Sequence, residues 1–390
     1  YRACGILLHA LNGFLVYWLG RRLGGDEKRA FLGALLFLSF PAQTETVHIS
    51  SFKGHLLAFG FSLACLLCWA RVLEERKAVL PLAGAFAFYL LALAGKETGV
   101  AALGLMAAYS FCFARKTRLG FQLKAALAFA AVTAAYLWLR FRVLEAPQAM
   151  PAVAAEPATL LGWYIRMLLW PHPLCRERRL PAGVFLQALS VVYASALWIF
   201  RRNKPAFFGL LMIGVGLLAF LGLIPFSAES PAADRYLYAA AGGFALTLSV
   251  LLAAGAGRYA LYALIFSWSA LTLQRNGMYR DRRMLYEQTV ACAPGHFKAW
   301  GVLGGFYLEQ GEFPAARDCA RRALALAPNY PGALDVLGTA SAGLGDYDQA
   351  QAAFEQGLAL APESAGLRAH RDALAAFRRK AALEDEPPAR

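Results

Sequence analysis

Long apolar runs separated by short polar loops fill residues 1–274. A helix that crosses a bilayer needs about 20 mostly apolar residues. Runs near that length lie at 3–19, 30–42, 54–70, 78–95, 97–114, 121–139, 182–200, 206–224, 236–255 and 257–273. They predict about ten spanning helices. A further apolar segment, 158–170, is shorter and carries Arg166. It predicts a segment that lies at the membrane interface or re-enters rather than spans.

After residue 274 the pattern changes to a repeat. Trp300, Leu303, Gly304, Tyr307, Ala316, Ala320, Ala323 and Pro328 recur 34 residues later. Their counterparts are Leu334, Leu337, Gly338, Ser341, Ala350, Phe354, Gly357 and Pro362. That is the spacing of a tetratricopeptide repeat, with small residues where the two helices of a unit touch. Gly311 and Gly345 fall at the turns, and Pro294 lies one period before Pro328, so 282–294 predicts half a repeat. A polar helix from Ser364 to Leu383 caps the array, and 384–390 is expected to be disordered. The predicted class is therefore all-α. A polytopic transmembrane helix bundle over 1–274 precedes a C-terminal tetratricopeptide-repeat solenoid over 275–383.

Composition strengthens the membrane expectation. The chain is 59% hydrophobic and 16% charged, with a mean hydropathy of +0.45. Ordinary soluble domains are about 25% charged. The net charge of +14 is uneven: from Arg275 onward, 14 Lys and Arg meet 14 Asp and Glu. The excess lies before it, in loops that alternate. One set (Arg21, Arg22, Lys28, Arg29; Arg71, Arg76, Lys77; Arg115, Lys116, Arg118, Lys124; Arg201, Arg202, Lys204; Arg258) holds 15 basic and four acidic residues. The opposite loops hold 10 and seven. Lys-rich and Arg-rich short loops stay cytoplasmic. The other loops and the repeats are then outside, and a further span is expected before Tyr1. Few cysteines and compact loops favour a bacterial inner membrane. These charges flank apolar runs and form no face for nucleic acid.

Motifs of soluble catalysis are missing. Cys65 and Cys68 form a CxxC, but inside an apolar run, where they read as small buried side chains. No GxxxxGK[ST] phosphate loop and no HExxH zinc pattern occurs.

Four loops assigned to the outside carry unusual polar residues. Residues 41–55 hold Glu45, His48 and Lys53. Gly95–Gly99 is a tight turn with Lys96 and Glu97. The segment 227–243 holds Asp234 and Arg235 before Tyr236 and Tyr238. The segment from Trp163 to Arg179 holds Arg166, His172, Arg176, Arg178 and Arg179. A hydrated loop or lipid anchoring accounts for most of these residues taken alone, but less well for Arg235, because short outside loops are depleted in Arg. A basic outer surface also suits an anionic lipid headgroup.

In order, LLHALN (7–12), P-x-x-T-E-x-V (41–47), GKETG (95–99) and DRYLY (234–238), with a repeat array after them, resemble one family. It is the tetratricopeptide-repeat transmembrane O-mannosyltransferases and, more broadly, the lipid-linked-sugar glycosyltransferases of the C superfamily. The resemblance implies transfer of a sugar, mannose among the candidates, from a polyprenyl-phosphate donor. The acceptor is a protein hydroxyl or another extracytoplasmic group, presented by the repeats. By the resemblance Glu45, Lys96, Glu97, Arg235 and Tyr236 match family positions; the chemistry of such a transfer then gives catalytic roles to Glu45 and Glu97 and donor-phosphate binding to Lys96 and Arg235, with Lys53 beside them, while His48, Tyr236 and Arg166 in the same outer loops are candidates for substrate contact. His9 and Asn12 match the H-A-x-N segment.

Departures accompany the resemblance. Phe40-Pro41 stands where the family has His-Pro, Lys53 where it has Arg, and Asp234 where Glu is common. The family's acidic pair in the first outer loop falls upstream of Tyr1. The catalytic base, and any divalent metal those acids bind, are expected there. Two rivals accompany this expectation: a non-catalytic membrane-anchored repeat scaffold, and a surface-glycan polymerase or ligase.

Overall fold

The computed structural model describes residues 2–75, 78–114, 119–143, 156–172, 184–221 and 232–384. Every regular element among them is a helix. Contacts divide the chain into Tyr1–Gly277 and Met278–Arg390. Arg76, Lys77, Arg115, Lys116, Arg118, Arg176, Arg178 and Arg179 lie outside the described residues, as does the tail from 385 onward.

The first unit begins with α1 (Arg2–Arg22), α2 (Glu27–Ser39), the short α3 (Thr44–His48) and α4 (Lys53–Glu74). It continues with α5 (Val79–Gly95), α6 (Ala101–Phe113), α7 (Leu119–Val143), α8 (Pro157–Leu169) and α9 (Val184–Phe200). It ends with α10 (Lys204–Leu218), α11 (Leu237–Leu252) and α12 (Gly257–Met278). Local chemistry sets the boundaries that matter. Asp26 caps α2 by accepting the Arg29 amide at 2.7 Å. α2 stops because Phe40 precedes Pro41: the proline ring excludes the helical region, and Phe40 is extended at φ −65° and ψ 118°. The chain then bends by 51° into Pro41–His48. α5 stops at Gly95, where Lys96 is extended and leads into a 3₁₀ turn, Glu97–Val100.

Four helical stretches are long and apolar enough to cross a membrane: Arg2–Arg22, Ser50–Glu74, Gly120–Arg140 and Asp234–Leu252. The bent pair Glu27–Ser39 and Pro41–His48 makes a fifth if counted as one. Val79–Gly95, Glu97–Phe113, Val184–Phe200 and Lys204–Leu218 are apolar but shorter. Ten spans were expected; among the described residues, four or five meet the full length. The apolar runs had counted residues that the backbone spends on turns. Thus 97–114 is a 3₁₀ turn plus a 13-residue helix, and the helix within 206–224 ends at Leu218. α12 is long but carries Arg258, Gln274 and Arg275.

The 13 residues of α8 make a rod of about 20 Å, too short to cross a core of about 30 Å. Yet it does not lie open on one face. Trp163, Tyr164 and Met167 are buried and it packs on α9 and α11, because apolar residues surround most of its circumference. Arg166 turns away, donating to the His172 carbonyl at 2.8 Å.

The second unit is a stack of antiparallel helices: α13 (Arg282–Cys292), α14 (Phe297–Glu309), α15 (Phe313–Leu326), α16 (Pro331–Gly343), α17 (Tyr347–Leu360) and α18 (Ala365–Glu384). α14 packs on α15 and α16 on α17, as two helix–turn–helix repeats. Their cores are small. Ala316, Ala320, Val336 and Ala340 form one cluster; Ala350, Phe354, Leu367 and Leu374 form another. Gly311 and Gly345 take φ of +74° and +83° at the two turns, a left-handed conformation that other residues rarely adopt.

Candidate functional site

The motifs of the first unit meet in space. Glu45, on α3, has a fully buried side chain. It accepts the Arg235 guanidinium at 3.1 Å and the Arg235 backbone amide at 3.1 Å. The T-E segment and the D-R-Y turn, 190 residues apart, are thereby fastened together. The Arg235 guanidinium also lies over the rings of Phe52 (4.7 Å) and Tyr236 (4.8 Å). Next to it, Asp234 pairs with Arg275 of α12 at 2.9 Å, and both side chains are at most 5% exposed.

A second junction lies nearby in sequence. Asn12 is buried and donates to the Leu56 carbonyl and the Tyr238 hydroxyl, both at 3.0 Å. His9 meets the same hydroxyl at 2.8 Å. The H-A-x-N segment of α1 therefore holds the second tyrosine of D-R-Y-L-Y.

A pocket of about 310 Å³ opens between α4, the Glu97–Val100 turn, α6, α10 and α11. Phe59, Leu103, Met212, Val215 and Phe220 make most of its wall apolar. His55, Glu97, Thr98 and Arg235 supply polar side chains to its lining. Tyr236 also lines it, stacked on Phe220 with ring centroids 4.0 Å apart. Glu97 pairs with Arg140 at 3.6 Å and remains partly exposed.

Lys96 stands beside this group. Among the described residues its ammonium makes no hydrogen bond or ion pair. Burial lowers its pKa from the usual lysine value; Glu97 opposes that, while Arg235 and Arg140 reinforce it. The start of α4 fits tightly against this turn. A Cβ on Gly54 would stand 2.8 Å from the Gly95 carbonyl and 3.5 Å from the Lys96 side chain.

The expected site residues thus separate. Arg235, Glu97 and Tyr236 line the pocket, and Lys96 is electrostatically coupled to Arg235 and Glu97. Glu45 does not line it. Both its oxygens are engaged by Arg235, so its carboxylate positions a cation and is not presented to an acceptor hydroxyl. His48 contacts Asn276 at 2.8 Å, and neither Lys53 nor Arg166 reaches the pocket lining. His55, Thr98, Arg140 and Arg275 were not singled out from sequence. His55 was legible only as a histidine two residues past Lys53, at the mouth of an apolar run. Cys65 and Cys68 are free thiols, with Cys65 fully buried. Among the described residues, no group of three or more His, Cys, Asp or Glu side chains is placed to hold a metal ion.

A family model described as the cilia and flagella-associated protein 70 middle TPR-like domain matches residues 270–383. No characterised protein matches the chain. The C-terminal region of this all-helical chain is a TPR-like domain.

Proposed function

We propose that the chain is a multi-pass membrane glycosyltransferase that uses a polyprenyl-phosphate sugar. The observation that carries this reading is the pocket: an apolar trough with Arg235 in its lining and Lys96 beside it. A polyprenyl phosphate has the complementary form, a long apolar tail ending in an anion. Large apolar side chains on the outside of the first unit support a lipid surrounding. Leu7, Leu127 and Phe266 are each about 70% exposed or more, and water is a poor solvent for such a surface.

In this reading the acceptor hydroxyl oxygen bonds to the anomeric carbon as the bond from that carbon to the phosphate oxygen breaks. Polyprenyl phosphate leaves with the electron pair. Lys96 and Arg235 stabilise the charge that grows on the phosphate, by fixed electrostatics in a site that excludes most water. Glu45 holds Arg235 in place. Glu97 takes the acceptor proton. The repeats present a protein or peptide acceptor on the extracytoplasmic face of a bacterial inner membrane.

The test is sugar transfer by the purified chain, with a panel of polyprenyl-phosphate sugars and a peptide acceptor. Lys96→Ala is the informative variant, because it breaks no ion pair. Loss of one charge-stabilising group is expected to lower turnover about 10²–10³-fold. Unchanged turnover removes Lys96 from the site. Protease digestion of right-side-out spheroplasts, whose outer membrane has been opened, tests the topology: the repeats are expected to be cleaved from outside.

The match over 270–383 favours a second reading, a repeat scaffold whose first unit anchors it. No transfer with any donor, together with a stable complex formed through the repeats, selects the scaffold.

A further inference from the structure

His55 occupies the first turn of α4, on the pocket wall, and is 5% exposed. Its Nε2 is buried and has no hydrogen-bond partner among the described residues. The rings of Tyr236, Phe220 and Phe52 stand 6.2, 6.3 and 6.4 Å away, centroid to centroid. The charged groups that act on it are the cations Lys96 and Arg235, which have no acceptor to give. A buried polar nitrogen left unpaired is costly, and native structures leave few of them. Here the orphan sits where two cations converge beside an apolar trough. An oxygen carried by an anion accepts from the orphan nitrogen and is drawn to the charge of Lys96 and of Arg235, the latter already held by Glu45.

We infer that His55 is a positioning residue that donates a hydrogen bond from Nε2 to a phosphate oxygen of the bound polyprenyl phosphate. This rests on the proposed function and adds a group that the motifs do not mark. Lys96 and Arg235 attract the anion from a range of directions; a single N–H with aromatic walls fixes one orientation. The imidazole thereby sets the angle at which the sugar leaves. The histidine is held neutral or charged without changing this assignment, since Nε2 carries a proton in either form that donates.

The experiment measures binding of a polyprenyl monophosphate without sugar to the full chain in lipid nanodiscs. The variants are His55→Gln, His55→Asn and His55→Phe, each first shown to be monodisperse with an unchanged unfolding midpoint. Gln places an N–H close to the position of Nε2, whereas Asn reaches only as far as Nδ1. The expected result is near-normal affinity for His55→Gln and about tenfold to a hundredfold weaker binding for His55→Asn and His55→Phe. The matching polyprenol, with the same tail and no phosphate, is expected to bind independently of residue 55. Should His55→Phe fail to fold, the Gln and Asn pair still decides.

Equal binding by all variants overturns the inference and assigns the orphan nitrogen to a bound water. The same holds if polyprenol shows the same dependence, or if His55→Gln is as weak as His55→Phe. Absence of polyprenyl phosphate binding in the wild-type protein is a different failure. It removes the proposed function itself, and this inference with it.

Discussion

The two units of this chain bury opposite things. In the first, Glu45, Asp234, Arg235 and Arg275 lie inside, while leucine, phenylalanine and tryptophan side chains crowd the outside. In the second, alanines, glycines and a few larger apolar residues make the core, and the ion pairs stand in solvent. The contrast shows what an ion pair is for in each setting. A buried pair loses its hydration, so its value lies in the register it imposes and in the penalty for breaking it. A surface pair gives up little water and gains little. Glu45–Arg235 joins segments 190 residues apart; Arg378–Asp348 only links two neighbouring helices.

The largest expected effect follows from that difference. Glu45→Ala leaves the Arg235 guanidinium buried without its carboxylate, at a cost of about 3–5 kcal/mol. The purified chain should show a strongly lowered unfolding midpoint for its first unit. Adding Arg235→Met to Glu45→Ala should recover part of the loss, because the stranded charge is then gone. A single variant as stable as wild type would remove the buried pair from its structural role.

Packing supplies the middle effect, in the second unit. A Cβ at Gly338 would stand 2.5–2.8 Å from the Phe354 ring. Phe354 is 1% exposed and packed in the core of the unit. Gly338→Ala should therefore destabilise the repeats by about 1–3 kcal/mol through overpacking. Gly305, in α14, has nothing within 4 Å of its Cβ position. Gly305→Ala should stabilise by up to about 1 kcal/mol, as alanine does in an open helix interior. Amide hydrogen exchange over 297–360 reads both, and equal effects would contradict the close helix contact at Gly338.

These elements differ in how far the sequence reveals them. The repeat is legible because each contact recurs at a fixed period: Gly338 stands one period after Gly304, and Gly345 after Gly311. The four motifs of the first unit are legible as residues, but their partners are not. Nothing local says that Glu45 faces Arg235, that Asp234 faces Arg275, or that Asn12 and His9 share the Tyr238 hydroxyl. Those contacts depend on how helices distant in the chain pack. Glu45 shows the consequence: a carboxylate beside apolar helices reads as chemistry until its cation is found. His55 shows the converse, since an unremarkable histidine becomes informative only when its nitrogen is seen to lack a partner. Among the described residues, fewer helices reach full spanning length than there are apolar runs, because hydropathy does not register where turns such as Glu97–Val100 interrupt a run.

The smallest effect sharpens the contrast. Arg378 donates to Asp348 and Gln351, both at 2.9 Å, and its side chain is 43% exposed against 89% for Asp348. Arg378→Ala should cost only about 0.2–1 kcal/mol, the range of exposed pairs. Salt separates it from the buried pair. In 1 M salt the screening length is about 3 Å, so the difference between wild type and Arg378→Ala should shrink toward zero. The Glu45→Ala loss should persist, because the contact between Glu45 and Arg235 is itself buried, with side chains 0% and 5% exposed. Unfolding midpoints of both variants at low and high salt test this directly. If both losses fade together, Glu45 and Arg235 are hydrated, and the distinction between a unit that shelters its charges and one that displays them falls.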